Sequence, residues 1–99
     1  MRGRRRRARQ ALLEQSAIAA GEQWAQRRCA DLHEEGRRLT GGWPGTLTEA
    51  RARARAHCAA ELRRKGLTAL TTEELETVTR ATYASARSNW LAHAVREPR

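Results

Sequence analysis

The fold of this chain is decided by residues 40–49, TGGWPGTLTE. Three glycines and one proline within residues 41–45 end any preceding helix, because glycine favours unusual backbone angles and proline lacks a backbone N–H. Directly after them, Thr46 and Glu49 have the spacing of a capping box, in which side chains and backbone amides bond reciprocally at a helix start. The stretch therefore predicts that one helix ends before it and a second begins at about residue 47.

On the N-terminal side of this stretch, apolar residues recur with helical spacing, which predicts a first helix over residues 8–38. Gly21 lies within the apolar stripe, where it would permit another helix to approach closely. The stripe, which we expect to face the core, consists of Leu13, Ala17, Ile18, Trp24, Ala25, Cys29 and Leu32.

On the C-terminal side, Gly66 is a natural stop for the second helix, predicted over residues 47–65. Thr71 and Glu74 form a second capping box, and a third helix is predicted over residues 72–96. Leu91 and Val95 point away from its core-facing stripe. That stripe consists of Leu75, Val78, Thr82, Ala86, Trp90 and His93.

The composition favours helices but allows only a thin core. The 99 residues include 19 alanines, the strongest helix former, against only 13 leucine, isoleucine and valine residues. We therefore expect an all-α fold in which residues 10–99 form a single small antiparallel three-helix bundle. A body this size is marginally stable, so a partner or an oligomer would help to complete it.

The charge is concentrated in two segments. Residues 1–9 contain six arginines and no acid, and residues 46–66 add a net charge of +4 to the total of +9, whereas residues 67–99 balance to zero. Because dense like charge repels itself, residues 1–9 are expected to be a disordered or extended arm that binds a polyanion.

These charges predict a non-catalytic nucleic-acid-binding protein that contacts the phosphates of DNA or RNA. Phosphate contacts carry no sequence information, which favours an accessory or structural component of a nucleoprotein assembly. Trp43 is a candidate for base stacking or a partner contact, or else packs over the corner between the first two helices. The predicted phosphate-binding residues are Arg2, Arg4, Arg5, Arg6, Arg7, Arg9, Arg51, Arg55, Arg63, Arg64 and Lys65.

Two alternatives stay open. The thin core and the outward Leu91 and Val95 also suit a protein-interaction module or a subunit of a helical oligomer. A thiol or zinc switch is the third hypothesis, because Cys29 and His33 share a helix face and Cys58 would lie at a similar height if the first two helices are antiparallel. His57 is a further ligand candidate, and the simpler interpretation is that both cysteines are small buried hydrophobic residues.

Other classes of function lack sequence support. There is no glycine-rich phosphate loop and no nucleophile elbow, so we expect no enzyme and no cofactor. No apolar run approaches the roughly 18 residues of a membrane span, and no apolar stretch typical of a signal peptide follows the arginines. We therefore expect a cytoplasmic protein without a membrane partner.

Overall fold

The computed structural model describes residues 2–39 and 47–96, and this part of the chain is all-helical, with no strand. The three helices are α1 (Arg2–Glu34), α2 (Leu47–Arg64) and α3 (Thr72–Arg96). The all-α class and the helical bundle predicted from the sequence are confirmed.

A capping box begins α3 as predicted. The Thr71 hydroxyl accepts a hydrogen bond from the Glu74 backbone N–H, and the Glu74 carboxylate accepts one from the Thr71 N–H, each at 3.0 Å. These two bonds satisfy amides that have no partner within the helix. Thr46, the predicted cap of α2, lies outside the described residues.

Two glycines with left-handed backbone angles terminate α1 and α2. At Gly36 (φ 71°) the N–H of Arg37 donates to the carbonyl of Leu32 at 2.8 Å, and at Gly66 (φ 74°) Leu67 donates to Leu62 at 2.8 Å. This is the Schellman arrangement, which glycine adopts without a steric penalty. It ends α1 at Glu34, whereas the sequence pattern predicted an end near residue 38.

The N-terminus of α1 differs most from prediction. The helix begins at Arg2, so residues 2–9 form its first turns in place of the predicted disordered or extended arm. Arginine is a good helix former, and adding a residue to an existing helix costs far less than nucleating one. The packed body of α1 supplies that nucleus, and Arg9 bonds to α3.

Three buried clusters fix how the helices pair. At one end, Leu13 and Ala17 of α1 pack with Cys58 and Leu62 of α2 and with Val78 of α3. The middle cluster joins Trp24, Ala54 and Ala86, and the third joins Cys29, Leu32, Leu39 and Trp90. From one cluster to the next, the residue numbers of the contacting residues therefore increase together on α1 and α3. On α2 the residue numbers decrease as those on α1 increase.

Helices α1 and α3 approach each other closely at Gly21. A Cβ on Gly21 would lie 2.5 Å from the carbonyl oxygen of Thr82, which agrees with the predicted close approach. Trp24 and Trp90 are buried as expected. Ile18, predicted to be in the core, is instead 43% exposed, and its backbone carbonyl accepts a hydrogen bond from the hydroxyl of Ser85 on α3 at 2.8 Å.

Candidate nucleic-acid interface

The N-terminal arginine segment (residues 2–9) presents its charges on the exposed first turns of α1. Residues 4–7 are four consecutive exposed arginines. At about 100° per residue they project around the whole circumference of the helix. None of these four forms an ion pair with any of the described residues.

The segment also extends past the rest of the bundle. Arg9 is level with Glu74 in the first turn of α3, so residues 2–8 continue about 10 Å beyond that point at 1.5 Å per residue. The first turn of α1 contains no acidic residue. The positive end of the helix dipole and the arginine charges therefore coincide, which gives this end of the molecule a strongly positive potential.

Arg9, by contrast, is bound within the protein. Its Nε donates to Glu74 Oε2 at 2.9 Å, and its Nη2 donates to the backbone carbonyl of Ala69 at 2.7 Å. The hydrogen bond from Arg9, followed by the bond from the Thr71 backbone, lowers the pKa of Glu74 to about 2. Arg9 therefore joins α1 to the start of α3 and is the structural member of the segment.

The predicted phosphate-binding residues of α2 also divide into those that lie near a carboxylate and those that have no ion pair among the described residues. Arg51 pairs with Glu76 of α3, and Arg64 and Lys65 lie 3.6 and 3.7 Å from the carboxylate of the buried Glu61. Arg55 and Arg63 are exposed and have no ion pair within the described part of the chain. The other three predicted phosphate-binding residues on or just after α2 each lie near a carboxylate, so within the described residues these two are the ones without an ion pair.

Two predicted contact residues cannot be placed. Trp43 lies outside the described residues, and the side chain of Arg2 is likewise outside the described part of the structure, although its backbone begins α1. The predicted set is therefore represented by residues 4–7 at one end of α1 and by two arginines on α2.

An open groove of about 930 Å³ lies between the N-terminal half of α1 and the start of α3. Its floor includes Leu13 and Val78. Its polar wall mixes both signs of charge, so an anion inside it would meet carboxylates as well as guanidinium groups. The charged lining residues are Arg5, Arg6, Arg9, Glu14, Glu73 and Glu74.

The cysteines lie in different parts of the core. Cys29 packs with Leu32 and Trp90, whereas Cys58 packs with Leu13 and Ala17, about three to four turns earlier on α1. Within residues 2–39 and 47–96, neither cysteine forms a disulfide and no group of three metal-ligating side chains occurs. The similar heights expected for Cys29 and Cys58 are wrong, because Cys58 lies level with Leu13 and Ala17 near the middle of α1, whereas Cys29 lies close to its C-terminal end.

Burial also affects the chemistry of Cys58. Its side chain has no exposed surface, and this burial raises the pKa of the thiol. Because the thiolate is the nucleophilic form, the native environment makes Cys58 less reactive.

A further cluster was missed by the sequence pattern. The imidazole of His57 on α2 stacks on the indole of Trp24 on α1, with ring centroids 5.4 Å apart and planes inclined by 16°. Burial lowers the pKa of His57, and the positive charges of Arg27 and Arg53 lower it further. Helical spacing alone places Arg27 one turn after Trp24 and Arg53 one turn before His57, but only the packing of α1 on α2 brings the two pairs together.

Comparison with family models, with curated proteins and with solved structures finds no match for this chain. None of the described helices is long and apolar enough to cross a membrane. The candidate interface therefore rests on its own geometry and charge.

Proposed function

We propose that this chain is a non-catalytic nucleic-acid-binding protein that uses its N-terminal arginine segment to contact the phosphates of DNA or RNA. The observation that carries the proposal is the run of arginines 4–7, exposed on the first turns of α1 and without ion pairs among the described residues. In this proposal the rest of the chain is a small cytoplasmic antiparallel three-helix bundle that supports the segment.

The electrostatics of the segment favour a polyanionic partner. Each guanidinium group that neutralises a phosphate releases a condensed counterion, which drives association at low salt. The positive end of the α1 dipole adds to that attraction and has no acidic residue in its first turn to offset it. Phosphate binding would also relieve the mutual repulsion of the four arginines, so the bound nucleic acid would stabilise this end of the helix.

Arg55 and Arg63 would add contacts from α2, since both are exposed and uncommitted among the described residues. The arginines would contact the backbone and not base edges, so the protein would bind many sequences with similar affinity. This behaviour suits an accessory or structural component of a nucleoprotein assembly.

The test compares two variants that remove the same charge, one from the N-terminal arginine segment and the other from exposed positions elsewhere on the molecule. One replaces Arg4, Arg5, Arg6 and Arg7 with glutamine, and the control replaces Arg37, Arg38, Arg87 and Arg96, which are also exposed. Affinity for duplex DNA and for single-stranded RNA is measured as a function of salt concentration.

We expect the first variant to bind far more weakly at low salt. For duplex DNA, the loss of four phosphate contacts lowers the slope of log affinity against log salt by about 3 to 4. The control should lose much less, because it changes the net charge equally but not the proposed contact. Equal loss in both variants, or no binding by the unaltered protein at low salt, would refute the proposal.

A protein-interaction module is the second candidate function. Leu91 and Val95 lie one turn apart on α3 and are 52% and 86% exposed. A partner helix or a second copy of the chain would bury them. Sedimentation analysis of the unaltered protein and of a Leu91→Lys, Val95→Lys variant tests self-association; a monomer in both cases argues against the oligomer.

A further inference from the structure

The face between α1 and α2 contains three cationic or protonatable groups around one aromatic residue. Trp24 is 3% exposed and supports the half-buried ring of His57. Because the indole packs along the imidazole face, it fixes the plane of the ring while part of His57 reaches solvent. The ring is therefore held in a defined place at the surface where the two helices meet.

Arg27 and Arg53 flank this stacked pair on different helices, one turn from Trp24 on α1 and one turn from His57 on α2. Both are exposed, and neither has an ion pair among the residues that the structure describes. Their charges act on His57 and, together with burial, favour its neutral form. Neither arginine is paired with a carboxylate among the described residues, so an external anion would supply the neutralising charge.

Other charged groups lie within one helical turn of these residues. Glu61 is turned toward Arg64 and Lys65, and Arg28 and Glu49 each have an interaction of their own. Helix α3 contributes Tyr83 to the cluster beneath Trp24. The remaining acidic neighbour is Asp31, which is exposed one turn after Arg27.

We infer that Arg27, Arg53 and His57 form a second phosphate-binding site, on the α1–α2 face, for the backbone of the same nucleic acid that the N-terminal arginine segment contacts. The inference rests on the proposed function and adds the residues that orient the ligand. Two guanidinium groups supply fixed charge and hydrogen-bond donors, and His57 becomes a third donor when it takes up a proton beside the phosphate.

The distance along α1 suits a single extended ligand. Arg7 and Arg27 are separated by about 30 Å at 1.5 Å per residue, close to one turn of duplex DNA. A duplex of about 12 base pairs would therefore reach both sites, whereas one of about 6 base pairs would reach only one. Residues 4–7 project in every direction, so some of them share the face that carries Arg27.

The first test follows His57 by NMR as pH is varied, with and without a DNA duplex of about 12 base pairs and an RNA duplex of equal length. A His57→Gln variant assigns the signal among the three histidines. We expect the pKa of His57 to lie below 6.5 in the free protein and to rise above that value when a duplex binds. An unchanged pKa in a protein that binds the duplex would overturn the inference.

The second test compares Arg27→Gln, Arg53→Gln with a control double variant, Arg38→Gln, Arg87→Gln. Each removes two exposed arginines, so the net charge changes equally. We expect the first pair to lower the salt slope for the longer duplex by about 2 and the control to lower it less. We also expect little difference between the pairs for the shorter duplex, which the N-terminal arginine segment can hold alone.

The proposed function and the second phosphate-binding site are contradicted by different results. If the unaltered protein binds no nucleic acid at low salt, the proposed function itself is wrong. If it binds the longer duplex and the two double variants bind it equally well, only the second site is wrong.

Discussion

The carbonyl oxygen of Thr82 lies only 2.5 Å from the point where a Cβ on Gly21 would stand, so α1 and α3 meet backbone to backbone. Ser85 and Ala86 are almost as near, at 2.6 and 2.7 Å. Small residues one turn before and after Gly21, Ala17 and Ala25, are also fully buried. The close approach lets a chain with few large apolar residues form a dense contact.

Replacing Gly21 with alanine should destabilise the protein. Alanine is favoured over glycine in a helix by about 1 kcal/mol, but here its methyl group meets backbone atoms that cannot move aside. We expect a net loss of about 1–3 kcal/mol in the free energy of unfolding, measured by urea denaturation. Gly3→Ala is the matched control, since nothing lies within 4 Å of its Cβ, and it should be neutral or stabilising. A stabilised Gly21→Ala protein would contradict the close approach.

Replacing Glu74 with glutamine should weaken the start of α3 and alter acid stability. The pKa of Glu74 is lowered from 4.5 to about 2, so its contribution is full above pH 4.5 and is lost as the pH falls toward 2. We expect the variant to lose about 0.5–1 kcal/mol at neutral pH and to show a shallower decline in stability between those pH values.

The control for that experiment is Glu73→Gln. It removes the same charge from the same first turn, but Glu73 has no ion pair among the described residues. Thermal denaturation from pH 7 to pH 2 distinguishes them. If the two variants have the same pH profile, the Arg9–Glu74 pair does not contribute to stability.

Acid should also destabilise the protein through His57. Its folded-state pKa lies below 6.5, so the folded protein favours the neutral ring, and stability is full above pH 6.5 and falls as the pH drops below it. The His57→Gln variant should show less change than the unaltered protein between pH 7 and pH 5, measured by urea denaturation. His33→Gln, at an exposed position, is the control, and a larger effect of His33 would contradict this assignment.

Cys58 should react slowly with thiol reagents in the native state. The side chain is fully buried and its pKa is raised from 9.0. The neutral thiol therefore contributes stability that is lost as the pH rises above that value. We expect labelling of Cys58 to be slow at pH 8 and fast in denaturant. A Cys58→Ala variant shows which part of the total thiol labelling comes from Cys58. Rapid native labelling, or an internal disulfide after mild oxidation, would contradict the separate placement of the two thiols.

Several features could be predicted because their causes are local. The Thr71–Glu74 capping box and the helix end at Gly66 each depend on hydrogen bonds between residues a few positions apart in the chain. A short stretch of sequence is therefore enough to predict them. The burial of Trp24 and Trp90 follows from helical spacing. The end of α1 is also set locally, at Gly36, but Arg37 and Arg38 are good helix formers, so the sequence pattern predicts a helix that continues to residue 38.

Features of the candidate interface were harder to predict because they depend on which helices meet. The sequence shows eleven basic residues suited to phosphate, but not that Arg9 and Arg51 bond to carboxylates on α3. It gives the spacing of Arg53 and His57, but not the indole of Trp24 on which His57 stacks. Each of these contacts joins residues far apart in the chain.

The sequence by itself determined that the chain is helical, where α2 and α3 begin or end, and that positive charge is concentrated in residues 1–9 and 46–66. These properties depend on backbone preference, capping and composition, which act over a few residues. Only the tertiary structure decided which arginines stay available, that residues 2–9 continue α1, and that Arg27, Arg53 and His57 share one face. The reason is physical: whether a charge is paired depends on packing between helices, and that packing is set by the Gly21–Thr82 contact and the three buried clusters.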